Sequence, residues 1–233
     1  MRTPNCAAVL FDLDGTLIDS APDLMAAMNR LLDREGRAPV DALAFRAVIS
    51  KGGHAMLAVA FADLDAHERE LLLPAFLEIY GAHIADNSRA FAGITDVLAA
   101  LEAAAVPWAV VSNKAEAMVH AVLAAMPWAK TCAAVVGGDT LPVKKPDPAP
   151  LRLACAALGV AAEDCVYVGD DERDVLAARA CNMKAVAALW GYRGADERPL
   201  EWGADAVVAE PLDLLAAAIL DRKALDRKAA DAD

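Results

Sequence analysis

The sequence predicts an α/β protein: a doubly wound parallel sheet with an all-helical segment inserted after its first strand. Three observations carry this. Short apolar runs of strand length recur along the chain, and each ends on polar residues or glycine. Helical patterns separate these runs from residue 94 onward. Between them, residues 19–88 show helical patterns and no convincing strand. Alternating strands and helices place helices on both faces of a parallel sheet, joined by right-handed crossovers.

The first strand is read at 7–11, an apolar run stopped by Asp12-Leu13-Asp14-Gly15-Thr16. It lacks polar alternation, which marks a strand buried on both faces. Helices follow at 22–35, 41–49, 55–61 and 66–85, for which a small bundle is the natural packing. The alternating part resumes with a helix at 94–105 ahead of Pro107 and a strand at 108–111 ahead of Ser112-Asn113-Lys114. A helix at 115–125 ends before Pro127, and a strand at 133–136 follows. The helix at 148–158 has Pro148 in its first turn and Gly159 as its C-cap, each suited to its place. A strand at 165–168 runs into Gly169-Asp170-Asp171, and a helix covers 172–180. Strands at 184–188 and 206–208 and a helix at 212–220 complete the series. The tail 221–228 nearly repeats Asp-Arg-Lys-Ala-Leu and reads as a fraying charged helix end. The domain reading is a core of 1–18 and 89–233, interrupted by a helical domain of 19–88.

A length of 233 residues fits one core with an insertion. It is enough to bury a core without disulfides or a metal staple. The 56 alanines favour helix. A net charge of −12 argues against nucleic acid or an anionic membrane as the main partner, since both need basic surfaces. No apolar run is long enough for a transmembrane helix, and the N-terminal one is too short for a signal peptide. The five cysteines are odd in number, form no CxxC, and read as reduced core thiols. Together these features predict a cytoplasmic protein.

Ligands of open α/β sheets bind outside the carboxyl ends of the strands. The polar residues there are Asp12, Asp14 and Thr16; Ser112, Asn113 and Lys114; Lys144 and Lys145; and Asp170, Asp171 and Asp174. Positions i and i+2 of an extended backbone point the same way, so Asp12 and Asp14 face one site. Gly15 permits the sharp turn after them. Like charges this close repel, so one of the two should hold a proton more readily than in water. Such a pair can divide into an ionised nucleophile and an acid/base. A carboxylate cluster from two strand ends suits Mg2+. Asp174 is expected to support that metal site from behind. Asp171 reads equally as charge compensation at a helix N-terminus. The Ser112 hydroxyl and the N–H groups after it would make an anion seat, although serine is also an ordinary N-cap. Lys145, with its backbone fixed by Pro146, could neutralise both a nucleophile and a phosphate. Lys144 reads as a solvated surface lysine.

The segments 12–20, 112–114, 145–148 and 169–174 resemble, in order, the four motifs of the haloacid dehalogenase superfamily, most closely its phosphoglycolate phosphatase branch. The resemblance implies a Rossmann-like core with a helical cap. It implies that Asp12 is the nucleophile of an aspartyl-phosphate, and that Asp14 protonates the leaving alcohol and then deprotonates water. Ser112, Asn113 and Lys145 would hold the substrate's phosphoryl group. Mg2+ would sit on the Asp12 carboxylate, the Asp14 backbone carbonyl and Asp170. An acid at Asp14 points to phosphoryl transfer rather than dehalogenation, because a halide leaves without a proton.

The cap should choose the substrate by closing over the leaving group. In the segment 49–54, Gly52 and Gly53 would let a loop dip toward the site, where Lys51 or His54 could meet an anionic or hydroxylated leaving group. A plain helix–helix turn reads equally well. The segments 187–192 and 202–205 also resemble a subgroup acting on N-acetylmuramic acid 6-phosphate. A phosphomutase and a non-catalytic phosphate-ligand sensor are the competing classes, and a monomer and a homodimer fit equally. The expected partner is a small phosphate ester, whose anion would meet a local sign set by Mg2+ and Lys145 rather than by the net charge.

Overall fold

The computed structural model describes residues 6–217; the end of the last predicted helix and the 221–228 tail lie outside the described residues. In chain order the strands are β1 (Ala8–Phe11), β2 (Ile18–Asp19), β3 (Arg89–Ala90), β4 (Trp108–Val111), β5 (Cys132–Val136), β6 (Cys165–Gly169), β7 (Lys184–Ala188) and β8 (Ala206–Val208). The helices are α1 (Ala21–Arg34), α2 (Ala42–Arg46), α3 (Gly53–Ala60), α4 (Ala66–Ala82), α5 (Ile94–Ala103), α6 (Glu116–Ala124), α7 (Ala149–Leu158), α8 (Glu172–Ala180) and α9 (Leu214–Ala217).

Six strands pair in parallel in the order β5-β4-β1-β6-β7-β8, which is the predicted doubly wound α/β sheet. Phe11, the last residue of β1, aligns with Val110 on one side and Val168 on the other. The chain builds outward from β1 through β4 to β5, then crosses to its other side for β6. The ends of β1, β4 and β6 therefore flank the crevice where strand order reverses, the usual ligand position in such sheets. Strands β1, β4 and β6 are buried along their whole length, as their unalternating composition requires. Val9 and Phe11 join one apolar layer with Val97, Leu98 and Leu101 of α5. Ala8 and Leu10 join the opposite layer with Leu151 of α7 and Val175 of α8. All five cysteines are free, four of them buried, matching their reading as core thiols.

Helices α1 to α4 share a third apolar cluster, including Leu24, Met28, Leu31, Phe45, Leu57, Phe76 and Tyr80. Asp65 caps α4 in a reciprocal capping box with Glu68. Asp41 caps α2 by accepting from the Ala44 N–H at 2.8 Å. The helix predicted at 41–49 is broken: α2 stops at Arg46, and a 3-10 turn at Ile49–Lys51 precedes Gly52 at φ 89°. A positive φ suits glycine, and Gly52 separates this turn from α3.

A second departure lies at the ends of this helical segment. Strands β2 and β3 form a two-residue antiparallel pair, with Ile18 opposite Ala90 and Asp19 opposite Arg89. Two residues are too few for any periodicity to show. The chain thus leaves for α1 and returns from α4 at one place. Buried Asp23 fastens that place, accepting from Asn87 N at 2.8 Å, Ser88 N at 2.8 Å and Ser88 Oγ at 2.6 Å.

Candidate active site

The Asp12 N–H donates to the Val168 carbonyl at 2.9 Å, fixing the end of β1 against β6. The next turn brings the backbone of Gly15, at φ +85°, against the Asp170 side chain. Asp12 and Asp14 line one cavity of about 250 Å³, as their spacing predicted. Their expected mutual repulsion is met by a separate lysine on each.

Lys145 Nζ lies 2.9 Å from Asp12 Oδ1 and 2.8 Å from Asp174 Oδ1, and donates to Tyr167 Oη at 2.7 Å. Tyr167 Oη donates onward to the Val111 carbonyl at 2.7 Å. Burial acts against the Lys145 charge, but Asp12 and Asp174 outweigh it and hold the ammonium above its ordinary pKa. Lys114 Nζ donates to both oxygens of Asp14 at 2.9 Å and to Tyr80 Oη at 2.8 Å. Burial again opposes the charge, and Asp14 and Tyr80 raise the lysine well above its ordinary pKa. Ser20 Oγ donates to Asp14 Oδ1 at 2.5 Å.

Oxygens of Asp12, Asp170 and Asp174 lie within 4.8 Å of one another, all three residues buried. Burial, then the charges of Asp12 and Asp174, pushes Asp170 well above the usual carboxylate range. Burial pushes Asp174 up to about 6, while Lys145 pulls it back. With burial and one another's charge pushing Asp170 and Asp174 up, the three carboxyl groups would all ionise most readily beside a further cation. Hard oxygen ligands in such a cluster fit a small divalent cation. Backbone packs tightly around them: a Cβ on Gly191 would lie 2.3 Å from Asp170 Cβ, and one on Gly169 would lie 2.2 Å from Asp174 Oδ2. Thr16 Oγ, at 3.3 Å, and Ser50 Oγ, at 2.8 Å, donate to Asp170.

Asp171 takes the helix-cap role that was its alternative. It caps α8, and the Asp174 side chain accepts from its N–H at 3.1 Å. Burial raises its carboxyl, but the hydrogen bonds from Arg173 and Lys51 prevail and hold it at about 2.

Ser112 is buried at the end of β4 and lines the cavity. Its hydroxyl accepts from the Lys114 N–H at 3.3 Å. It does not cap α6, whose N-cap is Ala115. Asn113 also lines the cavity, but its side-chain amide donates to the Lys145 carbonyl at 3.0 Å, tying the two loops together. Lys144 is exposed, as expected. Lys51 Nζ lies 2.8 Å from Asp171 and 3.0 Å from Glu197. His54 contributes to the cavity wall, yet its ring is 70% exposed and bonded to Glu70 at 2.6 Å rather than to the carboxylate cluster.

The sequence grouped Lys114 with Ser112 and Asn113 but gave it no partner. Tyr80, Ser50 and Tyr192, whose N–H donates to Asp170 at 2.8 Å, were not singled out for the site. The signal for Lys114 was its place just past the end of β4. Tyr80 carried none, since it reads as part of an apolar helix face.

The sequence model of the haloacid dehalogenase-like hydrolases matches residues 9–188. The phosphoglycolate phosphatase of Xanthomonas campestris pv. campestris strain 8004 is 51% identical over 211 residues, covering 91% of this chain and 95% of that protein. The N-acetylmuramic acid 6-phosphate phosphatase of Pseudomonas aeruginosa is 39% identical, covering 97% of this chain and all of that protein. The crystal structure of a predicted phosphoglycolate phosphatase from Haemophilus somnus 129PT superposes with a TM-score of 0.81 at 26% identity, covering 91% of this chain and 97% of that one.

Proposed function

The chain belongs to the haloacid dehalogenase-like hydrolase family and is a phosphatase; from that premise we propose that it is a Mg2+-dependent phosphomonoesterase acting through an aspartyl-phosphate on Asp12, with phosphoglycolate or a similarly small ester as substrate. The observation that carries this is the pairing of Asp12 with Lys145 and of Asp14 with Lys114 at one cavity.

In this reading the free oxygen of Asp12 attacks phosphorus as the ester P–O bond breaks. For this step Asp14 must carry a proton, which it delivers to the departing alcohol oxygen. Asp14 then takes a proton from water, which attacks the phosphoryl group; the P–O bond to Asp12 breaks and inorganic phosphate forms. Ser112 and Lys145 hold the phosphoryl oxygens, and Asn113 holds the Lys145 loop in place. Asp174 keeps Lys145 beside Asp12. Asp12, Asp170 and the Asp14 carbonyl would hold Mg2+, which would supply charge neutralisation for the transferring group.

We take 1–18 and 89–233 as the core and 19–88 as a cap that excludes water from the cavity. Ser50 and Lys51 contact Asp170 and Asp171 from that segment, which supports a role for them in reading the leaving group. The net charge of −12 argues against nucleic acid as the partner. The partner is a small phosphate ester in the cytoplasm.

A second reading rests on the cavity wall. Leu24, Ile49, Met56, Leu73, Phe76 and Met118 give it an apolar face that glycolate would not use. With the muramic relative, this favours a bulkier sugar phosphate. A panel of phosphate esters with Mg2+, headed by phosphoglycolate and N-acetylmuramic acid 6-phosphate, decides between them by kcat/KM. Isomerised hexose phosphate without phosphate release would reveal a mutase, and turnover of no ester would reveal a sensor.

A further inference from the structure

Each aspartate of the Asp12-Leu13-Asp14 segment has its own lysine, and each lysine has its own tyrosine. The two sets are anchored differently. Tyr167, which holds Lys145 beside Asp12, lies on β6 and is tied to the Val111 carbonyl of β4, so that set lies wholly outside the inserted helices. Tyr80, which holds Lys114 beside Asp14, lies on α4 and is buried in the apolar cluster of α1 to α4. The second set therefore spans the sheet and the inserted helices.

A lysine ammonium has three protons to donate. Lys114 commits two to Asp14, at 2.9 Å each, and one to Tyr80, at 2.8 Å. Its Nζ also lies 4.5 Å from the centre of the Tyr80 ring. The side chain is only 8% exposed. With its donors used in this way, Lys114 serves the Asp14 carboxylate rather than a substrate oxygen.

We propose that Lys114 is a positioning residue for Asp14, and that Tyr80 sets its place, so that proton transfer to the leaving group depends on where α4 sits. This rests on the reading of Asp14 as the proton-transfer group. When α4 is seated, Tyr80 and Asp14 together fix the ammonium, and the ammonium fixes both carboxylate oxygens. When α4 is displaced, the Tyr80 contact is lost and the carboxylate is held from the core side alone. Asp12 and Lys145 have no such dependence.

The test compares phosphoglycolate, whose alcohol must be protonated, with p-nitrophenyl phosphate, whose leaving phenolate departs without a proton. Lys114→Met is expected to lower kcat for phosphoglycolate by about 10²-fold, the scale of acid–base catalysis. KM should stay within about threefold, and the first-turnover burst of p-nitrophenolate should fall by less than about tenfold, since that step needs no acid. Lys114→Arg, which keeps the charge and can pair with both carboxylate oxygens, is expected to recover part of the loss. If Lys114→Met does not fold, Tyr80→Phe carries the test, because it keeps both charges and the ring. It should lower kcat for phosphoglycolate by about tenfold, as for a lost hydrogen bond to a charged group, and spare the burst. An equal loss in the burst and in phosphoglycolate turnover, or no loss from either variant, overturns the proposal. Asp12→Asn is measured in parallel: if it retains turnover, the aspartyl-phosphate reading fails, an outcome separable from any behaviour of Lys114.

Discussion

Gly15 and Asp170 approach so closely that a methyl group on Gly15 would stand 2.1 Å from Asp170 Oδ2. Gly15 also has φ +85°, which side-chain-bearing residues rarely adopt. Gly15→Ala should therefore displace the Asp170 carboxylate and strain the turn after Asp14. The expected result is a loss of about 2 kcal/mol in urea unfolding, from backbone strain, and a fall in kcat with the best ester of the panel. Unchanged stability and turnover would show that the turn can open without cost.

Removing the divalent cation gives an independent handle on the carboxylate cluster. A chelator should lower ester hydrolysis by at least about 10²-fold, and Mg2+ should restore it. Mg2+ at 100 times its Kd should also stabilise the fold by about 2.7 kcal/mol, read as a rise in Tm, because it binds the folded cluster only. Hydrolysis that survives exhaustive chelation would remove the metal from the account.

Lys51 bridges Asp171 and Glu197 at the cavity edge, at 2.8 and 3.0 Å. If it also reads the leaving group, Lys51→Ala should raise KM for phosphoglycolate by about tenfold, the scale of a lost charged hydrogen bond. KM for p-nitrophenyl phosphate should change much less. Equal effects on the two esters would take Lys51 out of substrate choice.

Asp23 fastens the start of α1 to the returning chain at Asn87 and Ser88. Burial alone would raise its carboxyl, but the hydrogen bonds from Ser88 and Asn87 outweigh it and hold the carboxyl below its ordinary pKa. Its contribution is thus fully present above the ordinary carboxylate range and is lost as pH falls through the lowered native value. Asp23→Ala should cost about 2 kcal/mol at neutral pH, as for hydrogen bonds to a charged acceptor. The gap between variant and wild type in chemical denaturation should shrink as the solution is acidified below about pH 4. A gap that widens with acid would contradict this assignment.

What the sequence disclosed follows from what leaves a local trace. Unalternating apolar runs show where buried strands stop, so Asp12, Ser112 and Asp170 could be placed at strand ends before any contact was known. The i, i+2 spacing of Asp12 and Asp14 put both on one cavity, and Lys145 was found through its neighbourhood with Pro146. Contacts between distant segments leave no such trace. Tyr80 is one apolar helix residue among several until folding brings it to Lys114, 34 positions away. Ser50 meets Asp170 across 120 positions. The β2–β3 pair is too short for a pattern, and the helix read at 41–49 stops at Arg46 with no change in composition to mark it. The expected repulsion between Asp12 and Asp14 changed meaning for the same reason: the lysines that answer it come from two other loops.

The central claim is that Asp12 carries the phosphoryl group. Rapid quenching of the enzyme with Mg2+ and its best ester, followed by peptide mass mapping, tests it most directly. One phosphoryl group should appear on the peptide containing Asp12 during turnover, disappear as the ester is exhausted, and be absent from Asp12→Asn, which should also be inactive while unfolding like the wild type. Phosphate release with no modified Asp12 peptide, together with wild-type turnover by Asp12→Asn, would contradict the account.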